Sequence, residues 1–350
     1  MVVKNKTKVY VGMSGGVDSS LAASLLIEQG YDVTGIYMKN WTKDLPGAKC
    51  PWADDLADAK RVAVKLGIDF KVFDFENEYK HRVVDYMIGE YKKGHTPNPD
   101  IMCNQEVKFK LFLETALANG ADMIATGHYA RTNNSKLIMA VDENKDQTYF
   151  LYRINGDALS NTLFPIGEFK KPTVRIMATE RGLSTAAKKD SQGICFVGQV
   201  GIRDFLSLYV DQKSGDIIDK KSGKVLGHHD GAIFFTLGQR HGMELGGGLP
   251  YYVVGKDMDK NEVYVTTDLN DETLWRKTIY LSDIHWINQK PKTGKYQIRV
   301  RHRATLIDAT LNFKDGDVIL ELENPQRAVA TGQSIVIYNG QICIGGGIVF

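Results

Sequence analysis

A glycine-rich turn between an apolar segment and a helical segment restricts the fold of this chain more strongly than any other feature. Residues 9–30 have the sequence VYVGMSGGVDSSLAASLLIEQG. Lys8 to Met13 is mostly apolar and of strand length, whereas Asp18 to Gln29 has apolar residues at helical spacing and ends at Gly30. A glycine turn in this position exposes backbone N–H groups and the positive end of a helix dipole to an anion. The segment therefore predicts a phosphate-binding strand, turn and helix.

The alternation of strands and helices continues through the first part of the chain. After the turn come a strand at 31–38, an amphipathic helix at 54–67, a strand at 70–75, helices near 78–92 and 105–119, and a strand at 121–127. Strands that alternate with helices of this length pair in parallel through right-handed crossovers. We therefore expect an α/β fold with a doubly wound parallel sheet that binds its ligands at the carboxyl edge.

The pattern changes after about Gly198. Segments such as YYVVGKDMDKNEVYVTT and KYQIRVRHRATLIDATLNF contain short strands at nearly regular spacing, which is typical of small barrels. The expected units are the α/β domain at 1–198, a small central, mostly β domain at 199–274 and a C-terminal β-barrel at 275–350.

Charge and hydropathy limit the partners and the location of the chain. The sequence has 44 Lys and Arg against 42 Asp and Glu, so any surface that binds nucleic acid has to be a local patch. It has no run of about 18 apolar residues, and its N-terminal segment lacks a signal-peptide core and an Arg-rich presequence. We expect a cytoplasmic protein with no membrane segment.

The glycine turn differs from a Walker loop, because the sequence contains no G-x-x-x-x-G-K-[ST]. Without the lysine that holds the β- and γ-phosphates, and with Asp18 available for Mg²⁺, the turn is better suited to retaining a departing pyrophosphate. We therefore predict cleavage of ATP at the α-phosphate, with ATP and Mg²⁺ as cofactors. A tight turn without a ligand is the alternative, and the number of constrained positions in SGGVDSS disfavours it.

Two of the four cysteines lie in contexts that favour a thiolate. The segment GHTPNPDIMCN places Cys103 in a loop just before a helix start at Asn104 or Gln105, and a helix N-terminus stabilises a thiolate. The segment KKDSQGICFVG places Cys195 shortly after two lysines, whose charge acts in the same direction. The sequence has no C-x-x-C pair, which argues against a zinc site. We expect the remaining two, Cys50 and Cys343, to be structural thiols.

The chain resembles the tRNA-specific 2-thiouridylase family (MnmA type), within the PP-loop ATP-pyrophosphatase superfamily. The shared motifs run in order over nearly the whole chain: GMSGGVDSS, NPDIMCN, ATGHYAR, KDQTYFLY, FPIGEFKKPTVR, DSQGICF, HHDGAIFFTLGQRHG and RVRHRA. The resemblance implies an adenine nucleotide alpha hydrolase-like first domain and a tRNA-uridine 2-sulfurtransferase. Its substrate would be U34, the wobble uridine of the tRNAs for Lys, Glu and Gln. A cysteine desulfurase or sulfur-relay protein would supply the sulfur.

The same resemblance assigns the catalytic groups. Uridine O2 would be adenylated with release of pyrophosphate, and sulfur from a persulfide on Cys195 would then displace AMP to give 2-thiouridine. Either the persulfide attacks C2 and Cys103 then resolves it, or Cys103 first frees hydrosulfide; both routes end in a Cys103–Cys195 disulfide. Asp100 would be the general acid/base, although on local grounds it suits a turn equally well.

The resemblance also implies two sets of binding residues. For ATP they are Gly12, Met13, Ser14, Gly15, Gly16, Val17, Asp18, Ser19, Met38 and Gly127, with Asp18 also the Mg²⁺ ligand. For the tRNA and its target base they are Asn98, Pro99, Asp100, His128, Lys145, Asp146, Gln147, Arg301, His302 and Gln333. From local sequence alone Met38 suits a core position, and His128 suits a structural histidine as well as a substrate contact.

A basic strand marks the C-terminal segment. In YQIRVRHR, alternation places Arg299, Arg301 and Arg303 on one face of a strand and Ile298 and Val300 on the other. This predicts a one-sided phosphate-binding surface, although a solvated barrel face gives a similar pattern.

Two other functions remain open from the residues alone. One is a PP-loop enzyme that adenylates a small metabolite, which the two cysteines and the basic barrel disfavour. The other is a nucleotide-sensing or RNA-binding module without catalysis, which RNA-dependent release of pyrophosphate would exclude.

Overall fold

A computed structural model of the chain describes residues 6–45, 49–190, 201–246 and 248–350. In the first two ranges, five strands form a parallel sheet in the order β3-β2-β1-β4-β7. The strands are β1 (Lys8–Gly12), β2 (Asp32–Lys39), β3 (Asp69–Asp74), β4 (Met123–Thr126) and β7 (Thr162–Leu163). The strand order reverses between β1 and β4, and ligands bind at such a switch point in doubly wound sheets. The predicted α/β fold is confirmed.

The helices cover both faces of this sheet. They are α1 (Val17–Glu28), α2 (Trp52–Leu66), α3 (Glu76–Tyr79), α4 (Asp85–Lys92), α5 (Pro99–Met102), α6 (Phe112–Ala118), α7 (Thr148–Leu151), α8 (Gly156–Ser160), α9 (Lys171–Glu180) and α10 (Ile202–Leu206). Alternation along β1 directs Tyr10 into one hydrophobic core and Val9 and Val11 into another. In the described ranges, no helix combines the length and apolarity that a membrane span requires.

Two π-helical stretches join pairs of these helices in the described part of the chain. Lys80–Val84 connects α3 to α4, and Cys103–Leu111 connects α5 to α6. The second helix therefore runs without a break from Pro99 to Ala118. It begins where the Asn98 side chain accepts hydrogen bonds from the backbone N–H groups of Asp100 and Ile101, at 3.1 and 3.3 Å.

The described residues of the central segment form a small sheet of four strands in the order β10-β11-β8-β9. These are β8 (Gly215–Asp219), β9 (Val225–His229), β10 (Tyr252–Asp257) and β11 (Glu262–Thr266). Ile217, Val253 and Val263 of this sheet are completely buried and form a small hydrophobic core with Phe235. The expectation of a mostly β central unit is confirmed.

The fully described C-terminal segment closes into a six-stranded barrel. Its strands are β12 (Trp275–Trp286), β13 (Gly294–Arg299), β14 (Ile307–Lys314), β15 (Asp317–Arg327), β16 (Ser334–Asn339) and β17 (Ile342–Val349). The barrel closes because β12, at one edge of the sheet, pairs with β15 and also with β17, the last strand of the barrel. A hairpin from the first domain, β5 (Arg131–Asn133) and β6 (Lys136–Ile138), adds to β17 through the pairs Ile342–Ile138 and Cys343–Leu137. This pairing attaches the barrel directly to the α/β domain.

Candidate active site

The glycine turn lies at the switch point of the parallel sheet, between β1 and α1. Gly15 adopts a φ of 74°, and a Cβ at this position would lie 2.3 Å from the backbone oxygen of Asp55, so only glycine fits. Gly16 is the N-cap of α1 and has no side chain to cover the first turn. Ser19 Oγ accepts a hydrogen bond from the Ser14 N–H at 3.2 Å, which closes the turn. The turn therefore presents α1 N–H groups at the carboxyl edge of the sheet.

The structure brings the other predicted ATP residues to the same edge. A Cβ on Gly127, directly after β4, would lie 2.5 Å from the backbone nitrogen of Ser19, so the end of β4 packs on the first turn of α1. A Cβ on Gly12 would lie 3.0 Å from Met38 Cε, which places the end of β2 beside the turn. Met38 is partly buried and packs against a hydrophobic core, as its local sequence also suggested.

A lysine that the sequence analysis missed lies beside the turn. Lys171, the first residue of α9, donates hydrogen bonds to both carboxylate oxygens of Asp18 at 2.8 Å and is only 8% exposed. Tyr129 donates a hydrogen bond to Asp18 Oδ1 at 2.9 Å. Burial and the negative charge of Asp18 raise the pKa of Tyr129, which keeps its hydroxyl protonated. Thus the turn without a Walker lysine has an ammonium supplied from 153 residues farther along the chain.

The Lys171 ammonium also contacts a second carboxylate. Its Nζ lies 2.8 Å from Asp190 Oδ1, and Asp190 is paired as well with Lys145 and Arg175, each at 2.7 Å. Burial alone would raise the pKa of Asp190, but the hydrogen bonds from Lys145 and Lys171 lower it to about 2. Asp190 is therefore ionised at any working pH. The motif FPIGEFKKPTVR contains Lys171 and Arg175, but nothing in the sequence shows which acids they contact.

The environment of Cys103 differs from the predicted loop. Cys103 lies in the first turn of the π-helical stretch and is 1% exposed within a hydrophobic core. The helix begins at Pro99 rather than at Asn104 or Gln105. The expectation of a loop position just before a helix was wrong, since Asn98 caps the helix earlier than the apolar periodicity indicated. Cys195 lies in 191–200, outside the described residues, so its approach to Cys103 stays a prediction.

His128 links the nucleotide turn to the helix of Cys103. Its Nδ1 lies 2.8 Å from Thr126 Oγ1, and its Nε2 lies 3.5 Å from the Nζ of Lys108. Burial, followed by the charge of Lys108, lowers the pKa of His128 well below its usual value, so the ring is neutral. The ring packs against Phe109, with centroids 5.6 Å apart. Because Lys108 follows Cys103 on the same helix, His128 joins the end of β4 to the helix of that thiol.

Burial raises the thiol pKa of the other two described cysteines. Burial raises the pKa of the Cys343 thiol, which lies inside β17 and is 1% exposed. Burial also raises the pKa of the Cys50 thiol, whose Sγ donates a hydrogen bond to the Trp41 carbonyl at 3.6 Å. Both residues are therefore suited to serve as control positions for the cysteine chemistry.

The three arginines predicted to share one exposed face of a barrel strand do not do so. Strand β13 ends at Arg299, which is 6% exposed and forms an ion pair with Asp146 of the α/β domain. Arg301 and Arg303 follow the strand, and Arg303 has a φ of 61°, so simple alternation does not extend to them. Assigning Arg299 to a phosphate-binding face was wrong, because its charge is neutralised inside the joint between the two domains.

The predicted tRNA residues near this joint fall into two groups. Arg301 is exposed, and the His302 ring packs at a tilt against Phe150, with ring centroids 4.4 Å apart. Buried or engaged side chains form the second group: Asp146, 1% exposed; Lys145, paired with Asp190; Gln147, whose Oε1 accepts from the Tyr129 N–H at 2.8 Å; and Gln333, whose Oε1 accepts from the Ala330 N–H at 3.3 Å. In this structure the carboxylate of Asp146 does not reach the surface.

Three family models match the chain in succession. They are described as a tRNA methyl transferase HUP domain over residues 7–199, a tRNA methyl transferase PRC-barrel domain over residues 203–267 and an aminomethyltransferase beta-barrel domain over residues 276–349. The matched segments correspond to the parallel sheet, the central sheet and the closed barrel.

Curated proteins resemble the chain over nearly its full length. A tRNA-specific 2-thiouridylase MnmA from Bacillus mycoides is 45% identical over 349 residues, covering 97% of this chain and 94% of the relative. The protein of the same name from Levilactobacillus brevis is 45% identical over 359 residues, covering 99% and 96%. A solved 4-thiouridine synthetase–RNA complex with bound ATP is 17% identical, with a TM-score of 0.38, and covers 54% of this chain and 44% of that one. At that TM-score the structural likeness supports no inference about this chain.

Proposed function

The chain belongs to the tRNA-specific 2-thiouridylase family, and from that membership we propose that it replaces O2 of U34, the wobble uridine of tRNA, with sulfur in an ATP-dependent reaction. The main structural support is the convergence of the glycine turn with the helix of Cys103. Gly127 packs on α1, and the next residue, His128, contacts Lys108 of that helix. The proposed nucleotide residues and the helix that carries Cys103 therefore both contact the end of β4, which supports the proposal.

Adenylation solves the chemical difficulty of the reaction. Uridine O2 is a poor leaving group, so a sulfur nucleophile cannot displace it directly. In the proposed first step O2 attacks the α-phosphorus of ATP, the bond between the α-phosphorus and the bridging oxygen breaks, and pyrophosphate leaves with the electron pair. The α1 N–H groups lie where they can hold the departing pyrophosphate, and the Lys171 ammonium, held beside them by Asp18, adds positive charge at this edge.

We propose Mg²⁺ as a companion of the nucleotide, with the Asp18 carboxylate shared between the ion and the Lys171 ammonium. Among the described residues no group of three or more His, Cys, Asp and Glu is arranged to hold a metal. Mg²⁺ needs no such group, since it commonly takes one or two carboxylates and completes its shell with phosphate oxygens and water. Asp18 would be its protein ligand beside the turn, and the ion would supply additional positive charge for the phosphates.

The sulfur step uses the two cysteines. In one route the terminal sulfur of the Cys195 persulfide attacks C2, and the C2–O2 bond breaks to release AMP. The Cys103 thiolate then attacks Cys195 Sγ, which leaves sulfur on C2 and forms the Cys103–Cys195 disulfide. In the other route the Cys103 thiolate attacks Cys195 Sγ first, which forms the disulfide and frees hydrosulfide; the hydrosulfide then attacks C2, and the C2–O2 bond breaks to release AMP. Asp100, three residues before Cys103, is the proposed general acid/base.

The tRNA has to present its target base at the sheet edge. Chemistry at C2 requires the nucleotide to leave its stack, and Asn98 to Asp100 is the segment proposed to frame it. Arg301 and the other exposed basic residues of the barrel would bind the backbone phosphates. The proposed substrates are the tRNAs for Lys, Glu and Gln, with sulfur from a cysteine desulfurase or a relay protein.

Cysteine variants test the proposed sulfur chemistry. Cys103→Ser and Cys195→Ser should each abolish thiolation of unmodified tRNA while leaving tRNA binding nearly intact. Cys50→Ser is the matched control and should retain activity, since that half-buried thiol has a raised pKa. Thiolation that survives either catalytic substitution, with free sulfide absent from the assay, contradicts the two-cysteine mechanism.

A further inference from the structure

A partly buried ion network connects the glycine turn to the segment that precedes residue 191. The Lys171 ammonium has three N–H groups, and among the described residues three carboxylate oxygens lie 2.8 Å from it: both oxygens of Asp18 and Oδ1 of Asp190. Every direction in which this ammonium can donate therefore ends on a carboxylate. The orientation of Lys171 toward the turn depends on Asp190 as much as on Asp18.

Asp190 is itself held in place on several sides. Lys145 and Arg175 each lie 2.7 Å from its carboxylate. Arg175 also donates hydrogen bonds to the backbone carbonyls of Ala186 and Lys188 at 2.8 and 3.0 Å, which anchors the backbone that leads to Asp190. A carboxylate fixed by two other cations and by its own backbone is a rigid support for the third cation, Lys171.

We propose that Asp190 is a positioning residue for the adenylation step: it holds the Lys171 ammonium against Asp18 and the glycine turn, where pyrophosphate departs. This inference rests on the proposed function. Asp190 forms and breaks no bond in the step and acts only through Lys171. A charge that is oriented before the reaction costs no reorganisation when negative charge develops on the leaving pyrophosphate.

The test has to separate this action of Asp190 from an effect on the sulfur step. Asp190 lies five residues before Cys195 in sequence, so its removal could instead disturb the thiol. Asp58 provides a matched control, because it pairs with Lys188 of the same segment at 2.5 Å. In the described part of the chain, the cations that its carboxylate contacts are Lys188 and Arg61. Asp58 therefore anchors the segment without supporting the Lys171 ammonium.

The experiment measures tRNA-dependent pyrophosphate release in a Cys195→Ser background, in which the sulfur step cannot contribute. Asp190→Asn should lower kcat/KM for ATP by about tenfold or more, the usual scale for a charge-assisted hydrogen bond. Asp190→Glu should recover part of that loss, and Asp58→Asn should match the unsubstituted background. In a Lys171→Met background Asp190→Asn should have no further effect, because Asp190 acts through Lys171.

Each other outcome has a definite meaning. Unchanged pyrophosphate release in Asp190→Asn, with thiolation reduced in the chain that retains Cys195, overturns the proposal and assigns Asp190 to the sulfur step. A loss equal to that in Asp58→Asn also overturns it. If Asp190→Asn does not fold, Asp190→Glu is measured in its place. A rate of pyrophosphate release equal to that of the Cys195→Ser background then overturns the proposal. Absence of tRNA-dependent pyrophosphate release in the chain without Asp190 substitutions refutes the proposed function instead.

Discussion

The ion pair between Arg299 and Asp146 leads to a quantitative prediction about the joint between the barrel and the α/β domain. The two side chains are 7% and 0% exposed. Asp146 also accepts hydrogen bonds from the Ala140 N–H at 3.0 Å and from Thr148 Oγ1 at 2.7 Å. Arg299→Met removes the only cation in contact with this carboxylate among the described residues and leaves a buried, uncompensated charge.

The size of the effect follows from that burial. Removing one partner of a buried ion pair costs about 3–5 kcal/mol, because the remaining charge stays desolvated. Asp146→Asn alone strands the arginine and should cost a similar amount. In the double variant the amide introduced at position 146 can still bond to Ala140 and Thr148, and no buried charge remains, so most of the loss should be recovered. We expect a coupling free energy of at least about 2 kcal/mol between the two positions.

Equilibrium urea unfolding, followed by tryptophan fluorescence, measures this coupling for the full chain. The double variant should be more stable than either single variant. Additive losses, or a cost below about 1 kcal/mol for Arg299→Met, would refute the view that the pair is a buried structural joint. The view would also be contradicted if Arg299→Met reduced the salt dependence of tRNA binding as much as substitution of an exposed arginine does.

Three further predictions concern charge. Lys171→Met removes the ammonium that lies 2.8 Å from both Asp18 and Asp190. Loss of its charge-assisted hydrogen bonds, worth about 3 kcal/mol, should slow pyrophosphate release about a hundredfold, whereas an unchanged rate contradicts the site. Arg301→Ala should reduce the slope of log affinity for tRNA against log salt by about 1, and Arg61→Ala on α2 should not; equal slopes refute a phosphate contact. Burial, followed by the charge of Arg303, lowers the pKa of His302 to about 4. The unfolded chain takes up this proton near pH 6.5, so the free energy of unfolding should decrease as the pH falls from 6.5 to about 4, and His302→Gln should weaken this dependence. An NMR titration midpoint near 6.5 for His302 would contradict its burial.

The sequence was sufficient to predict the architecture because its signals are local. The glycine turn between β1 and α1, the alternation of strands and helices and the short C-terminal strands each depend on residues close together in the chain. Gly15 is an example, since its positive φ and its contact with the Asp55 backbone both require glycine. Local rules therefore predicted the parallel sheet, the position of the turn and the barrel.

The ion pairs of the site could not be predicted in the same way, because they join residues far apart in sequence. Lys171 and Asp18 are separated by 153 positions, as are Arg299 and Asp146. Strand alternation predicted that Arg299 lies on a solvent-facing, phosphate-binding surface. Instead, Arg299 is buried between the two domains, where it pairs with the Asp146 carboxylate. The start of the Cys103 helix was misplaced for a local reason, since the cap at Asn98 and the proline at the next position outweighed the apolar periodicity.

Nucleoside mass analysis of the reaction product tests the central claim most directly. Unmodified tRNA is incubated with the chain, ATP, Mg²⁺ and a sulfur source, and then digested. We predict a gain of about 16 Da on the wobble uridine, the difference between sulfur and oxygen, accompanied by AMP and pyrophosphate. An unchanged uridine mass, or a gain of about 14 Da that indicates methylation rather than displacement at an electrophilic carbonyl, would contradict the account.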